Sequence, residues 1–169
     1  MKYTSSEANK YLRKLNSDLQ TLISAETQSR TFLAATGEDI ESVRPAYDYA
    51  KTQKDIQALC VKIRRLKHAI NVFNTTTVVD GFDMTIDEML VYMPQLTERV
   101  RVLDTMRSTL PKLRERTYGS GTNATIDYRY TNYDHDSVEK DYEKMFSLLS
   151  RAQNALDLIN NTKTFEVDL

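Results

Sequence analysis

Residues 49–73 read YAKTQKDIQALCVKIRRLKHAINVF. Tyr49, Ile56, Ile63 and Ile70 fall at heptad position a, and Thr52, Leu59, Leu66 and Phe73 at position d. Steps of alternating three and four keep one stripe of a helix turned toward a partner. Four such heptads in a row predict a long helix with a coiled-coil-like packing seam. Between the seam positions, Arg64, Arg65 and Lys67 take b, c and e, the places of a solvated flank.

On the N-terminal side, Thr4-Ser5-Ser6-Glu7 has capping-box spacing, in which hydroxyl and carboxylate each satisfy an orphan N–H. Leu12, Leu15, Leu19 and Leu22 follow at helical spacing, with Phe32 and Leu33 extending the stripe to Gly37, a residue suited to end a helix. This predicts a first helix over about 4–36. A second is expected over about 44–73, entered at Pro45.

On the C-terminal side, the β-branched run Thr75 to Val79, followed by Asp80-Gly81, predicts a small hairpin over about 75–83, closed by Phe82. Thr85 and Glu88 form a second capping box, with Met84 and Met89 at hydrophobic-staple spacing. A third helix over about 85–115 carries Met89, Met93, Leu96, Val100, Leu103 and Leu110 on one stripe. Pro94 predicts a kink or break, and Pro111 bends or ends its last turns. Arg107 lies on the stripe as a snorkelling rim arginine. The turn-rich segment Tyr118 to Asn123 leads into alternation at Ile126, Tyr128 and Tyr130, a strand expected over about 124–132. Asp136 and Glu139 suit the start of a last helix over about 136–160. Its seam is Val138, Tyr142, Met145, Leu149, Leu156 and Ile159, and an irregular polar tail follows. The economical arrangement is a single mainly α domain over 1–169: an antiparallel long-helix bundle or coiled-coil-like hairpin with a small β insertion.

Composition limits the chemistry. The chain has 169 residues, a net charge of −1 and only 4 glycines and 3 prolines, so elements must be long and turns few. The near-zero charge argues against a dominant nucleic-acid or anionic-membrane partner. Neither an apolar leader region nor a run approaching the ~18 apolar residues of a membrane span occurs, and cytoplasm is the default expectation. The single cysteine, Cys60, has no internal disulfide partner and reads as a buried small hydrophobe. The scattered glycines provide no phosphate loop. Neither His68 nor His135 follows a Glu by three residues, as a di-iron bundle requires. No catalytic motif and no cofactor-binding motif is present.

Two clusters have chemical content. Asp134, His135, Asp136 and Glu139 gather metal-ligating atoms, although an acidic helix start favourable to the macrodipole is the simpler reading. The cations Arg64, Arg65 and Lys67 on the second helix, with Tyr128, Arg129 and Tyr130, offer phosphate contacts and base stacking.

At Ile70-Asn71, Asn74, Thr77, Asp80-Gly81, Thr85-Ile86 and Leu90 the sequence resembles the junction of the septicolysin-like family of uncharacterised, mostly bacterial, helical proteins. The segment from Leu156-Asp157 to Leu169 has the length of that family's ending. Thr164 and Phe165 stand in place of its Asn-Trp pair, and Asp168-Leu169 close the chain. Asn160-Asn161 depart from its Ile-Gln. The resemblance implies a helical core with a small β element and brings no established activity. The lytic role in the family's name is not expected here, because no strongly basic amphipathic helix is present to insert into lipid.

The leading functional expectation is a non-enzymatic structural or interaction protein, self-associating through heptad-patterned faces or meeting a protein partner. The second is an RNA- or DNA-binding helical module. A third is an enzyme whose site is assembled between helices or subunits around His135.

Overall fold

The computed structural model describes residues 1–115 and 127–169. The expected loop at 118–123 and the Ile126 start of the expected strand lie outside the described residues. The fold is mainly α with small β elements. In chain order it contains β1 (Lys2–Thr4), α1 (Ser5–Ser29), α2 (Ile40–Val43), α3 (Tyr49–Thr76), α4 (Ile86–Ser108), β2 (Lys112–Arg114), β3 (Tyr128–Tyr130), α5 (His135–Thr162) and β4 (Thr164–Glu166). Two compact units divide the chain: Met1–Thr77 with Asp157–Leu169, and Val78–Leu156. The division falls inside α5.

In the first unit, α1 and α3 run antiparallel. Ala8, Leu15, Leu66, Ile70 and Val167 share one buried cluster at one end of the pair. Near the other end, the Tyr47 hydroxyl donates to Glu26 at 3.1 Å, and Gln53 donates to the same carboxylate. β1 and β4 pair antiparallel in the register Lys2↔Glu166, Tyr3↔Phe165 and Thr4↔Thr164. Tyr3 and Phe165 pack on the buried cluster, and Phe165 stacks on Phe73 with centroids 4.9 Å apart. The tail expected to be irregular therefore contains a strand. Three residues of β4 are too short a run for periodicity to reveal, and their partner lies at the far end of the sequence.

Helix ends follow caps more closely than proline and glycine punctuation. α1 stops at Ser29, not near 36, with the Arg30 N–H bonded to the Glu26 carbonyl. Gly37 (φ +88°) serves the turn at Ala35–Glu38, where the Glu38 N–H meets the Ala35 carbonyl at 3.1 Å. α3 begins at Tyr49, not at Pro45, because the Asp48 carboxylate accepts from the Lys51 N–H at 3.0 Å. Arg44, just before Pro45, is held extended, which stops the short α2.

In the second unit, α4 and α5 lie antiparallel. Arg107 of α4 meets Glu139 and Tyr142 early in α5, while Arg151, further along α5, lies over Phe82 just ahead of α4. Ile86, Met89, Leu96 and Leu103 are buried on α4, and Val138, Leu149, Ala152 and Leu156 on α5. α4 passes through Pro94 without ending. The lost N–H bond falls beside exposed Leu90 and Val91, where water can satisfy the freed Leu90 carbonyl. Extended Thr109 ends α4 ahead of Pro111, so Lys112–Arg114 form β2 instead of the helix expected to reach 115. The hairpin expected at 75–83 is reduced to one bridge, Val78↔Thr85, around a turn with Gly81 at φ +81°.

Both capping boxes form as read from sequence. Thr4 and Glu7 cap α1, and Thr85 and Glu88 cap α4. Backbone N–H bonds from Thr4 and Thr85 hold the Glu7 and Glu88 carboxyls below the ordinary carboxylate range. A depressed folded pKa stabilises the fold above the unfolded value, and that contribution is lost as pH falls through the folded value. Glu88→Gln should therefore flatten the loss of stability below about pH 5, measured by urea unfolding across pH. Leu66, with no exposed surface, should cost about 2–5 kcal/mol as Leu66→Ala. Tyr49→Ala, at a side chain 66% exposed, should stay within about 0.5 kcal/mol in the same denaturation measurement.

Candidate interaction surfaces

Burial along the α1/α3 seam is uneven. At the end covered by the β1/β4 sheet, Leu66, Ile70 and Phe73 are buried. Farther along α3, Ile56, Leu59 and Ile63 are only half-buried, and Tyr49 at the first turn is exposed, outside the seam predicted for it. On α1, Ala8 and Leu15 are buried, whereas Leu19 and Leu22 are half-buried. No described residue of α1 beyond Leu15, or of α3 before Leu66, is buried.

Open grooves flank this stretch. One, of about 390 Å³, is lined by Leu19, Cys60, Ile63, Arg64 and Lys67 among others. Another, of about 330 Å³, lies along Asp18, Leu22, Ala25 and Leu59. Cys60 is exposed, contrary to the buried position expected. It follows Leu59 at heptad position e, a place that becomes buried only when a third helix covers the flank.

On α5 the predicted seam is more complete. Val138, Leu149, Leu156 and Ile159 are buried, and Tyr142 and Met145 are half-buried. The Arg107 guanidinium sits 3.8 Å from the Tyr142 ring centroid and pairs with Asp104 (3.0 Å) and Glu139 (3.1 Å). Its hydrogen bond to Asp104, more than any other contact, raises its pKa. This is the rim arginine read from sequence, held by a ring and two carboxylates.

The residues of the acidic helix start go to separate partners. Asp134 accepts from the Ser137 N–H (2.9 Å) and hydroxyl (2.6 Å), which lowers its pKa and makes it the residue that opens α5. His135 Nε2 lies 3.1 Å from the Thr131 hydroxyl, and Glu139 pairs with Arg107. Among the described residues no group of three or more His, Cys, Asp or Glu side chains converges to hold a metal ion.

The candidate nucleic-acid residues fall in different units. Arg64 and Lys67 line the first groove on α3, Arg65 is exposed on the same helix, and Tyr128, Arg129 and Tyr130 form β3 of the second unit. Strand alternation separates Arg129 from the two tyrosines, and Arg129 pairs with Glu115. The β2/β3 register, Lys112↔Tyr130 and Arg114↔Tyr128, brings in Lys112, a residue sequence reading missed. The alternation of Lys112-Leu113-Arg114 behind Pro111 was its only signal.

These features define a mainly α protein of antiparallel helix pairs with small two-stranded ribbons. No family model and no curated protein matches the chain. Its fold is similar to that of a solved structure, a functionally unknown conserved protein from Corynebacterium diphtheriae. The TM-score is 0.59 at 13% identity, covering 98% of this chain and 100% of that one. At this identity the likeness concerns the fold alone. No helix among the described residues is long and apolar enough to cross a membrane.

Arg107→Ala should lower the thermal midpoint by removing the ring contact and both ion pairs. Arg107→Lys should fall between it and the parent, since an ammonium keeps the charge but loses the planar stack. Thermal melts followed by circular dichroism check the order.

Proposed function

We propose that this chain is a non-enzymatic structural or interaction protein that self-associates through the half-buried stretch of its α1/α3 pair. The observation that supports this is the open seam. Leu19, Leu22, Ile56, Leu59 and Ile63 keep heptad-like order, yet none is buried in the chain. Two helices facing only each other bury one narrow stripe, whereas four-helix packing buries positions on both flanks. A second copy laid along the pair supplies the missing helices and covers both grooves with the same kind of surface. The symmetric arrangement repeats each contact twice. A lone exposed thiol at Cys60 suits a reducing, cytoplasmic setting for this role. The septicolysin-like resemblance is retained as a proposal of kinship. Phe165, standing at that family's Trp place, packs in the first unit's core.

Sedimentation over a wide concentration range tests the reading. The expected result is a multiple of 19.5 kDa that persists in high salt, because apolar contacts are not screened. Ile23, one helical turn beyond Leu19 and 37% exposed, provides the variant. Ile23→Glu should fold normally and shift the equilibrium toward monomer. A parent that stays monomeric throughout the range contradicts the proposal.

A further inference from the structure

We propose that the β2/β3 ribbon is a docking surface for single-stranded nucleic acid, independent of the α1/α3 seam. Alternation along the two strands places Lys112, Arg114, Tyr128 and Tyr130 on one face. Leu113 and Arg129 fall on the other, together with the flanking Glu115 and Asp127. The carboxylates are thus segregated from the cations: Glu115 is engaged by Arg129 behind the ribbon. Among the described strand residues, the front face carries two positive charges and two phenol rings, and the carboxylates of Glu115 and Asp127 fall on the other.

The contacts agree with the register. Lys112 Nζ lies 4.1 Å from the Tyr128 ring centroid and 5.5 Å from that of Tyr130. The two rings are 6.5 Å apart and tilted by 49°. Both are open to solvent, Tyr128 at 45% and Tyr130 at 62% exposure. Both tyrosines are thus available to a ligand without rearrangement of the core. The Glu115 N–H donates to the Asp127 carbonyl and the Thr131 N–H to the Pro111 carbonyl, extending the ladder at both ends, and the Tyr133 hydroxyl ties the segment after β3 to the Met106 carbonyl of α4 at 2.8 Å.

Ring faces beside cations match the chemistry of a single strand, in which unpaired bases stack and adjacent phosphates are neutralised. A duplex hides its base faces and cannot use the tyrosines. Ring stacking and phosphate contact do not involve the 2′-hydroxyl, so ribose and deoxyribose strands should bind alike. Lys112, released from the rings by an incoming base, would reach a phosphate in place of the π-cloud, with Arg114 one step along the strand contacting a second.

Fluorescence anisotropy with labelled oligothymidylate and oligouridylate about twelve nucleotides long, and with a duplex of equal length, tests this at low salt on the full chain. Both single strands should bind and the duplex should bind much more weakly. Tyr128→Ala and Tyr130→Ala should each weaken binding at least about fivefold, and Tyr→Phe at either site should restore it. With two phosphates neutralised, log affinity should fall against log salt with a slope of about −1.4. No binding of either strand at low salt overturns the proposal and leaves the ribbon as a protein contact. Equal affinity for the duplex, or binding unchanged in the Tyr128→Ala/Tyr130→Ala double variant with its circular dichroism intact, also overturns it.

Discussion

Leu66 has no exposed surface at the place where α1, α3 and the terminal sheet meet, and the first unit is organised around that contact. Ala8 and Leu15 approach from α1, Ile70 continues the stripe on α3, and Val167 closes over them from the chain's far end. Phe165 then stacks on Phe73. Each helix of this pair covers only one stripe of the other. At Leu66 a third element adds the remaining cover, the two-stranded sheet formed by Lys2–Thr4 and Thr164–Glu166. Where that sheet is present, burial is full. Where it is absent, the same heptad pattern gives half-buried side chains and open grooves.

Local spacing and distant pairing differ in how far the sequence reveals them. Both capping boxes and the buried end of the α3 stripe were legible, because each rests on local spacing: Thr4 with Glu7, Thr85 with Glu88, and Leu66, Ile70 and Phe73 at threes and fours. Elements that depend on distant pairing were not. Nothing near Thr164 signals that it will lie beside Thr4, and nothing in Lys112–Arg114 outweighs the helical pattern before Pro111 except a partner strand at Tyr128–Tyr130. Cys60 and Tyr49 show a third limit. Heptad position identifies which face a residue occupies, but not whether anything covers it.

Candidate sites divide along the same line. The segment Asp134, His135, Asp136 and Glu139 carries ligating atoms at adjacent positions, yet reads more simply as an acidic helix start. Asp134, His135 and Glu139 meet Ser137, Thr131 and Arg107, respectively. The cationic and aromatic residues were visible as types, while the face that unites them was set by strand register, which placed Arg129 behind the ribbon and Lys112 in front. Surfaces of the two units thus offer different chemistry: a half-buried apolar seam on one, and a small cation–tyrosine ribbon on the other.

In the self-association proposed here, a second copy completes the uncovered part of the α1/α3 seam. Hydrogen–deuterium exchange at increasing protein concentration addresses it most directly. Completion predicts that amides around residues 19–26 and 52–63 become slower to exchange as concentration rises, while those around Leu66 and Ile70, already covered by the sheet, do not change. Exchange in the 19–26 and 52–63 segments that is fast and independent of concentration would contradict the account.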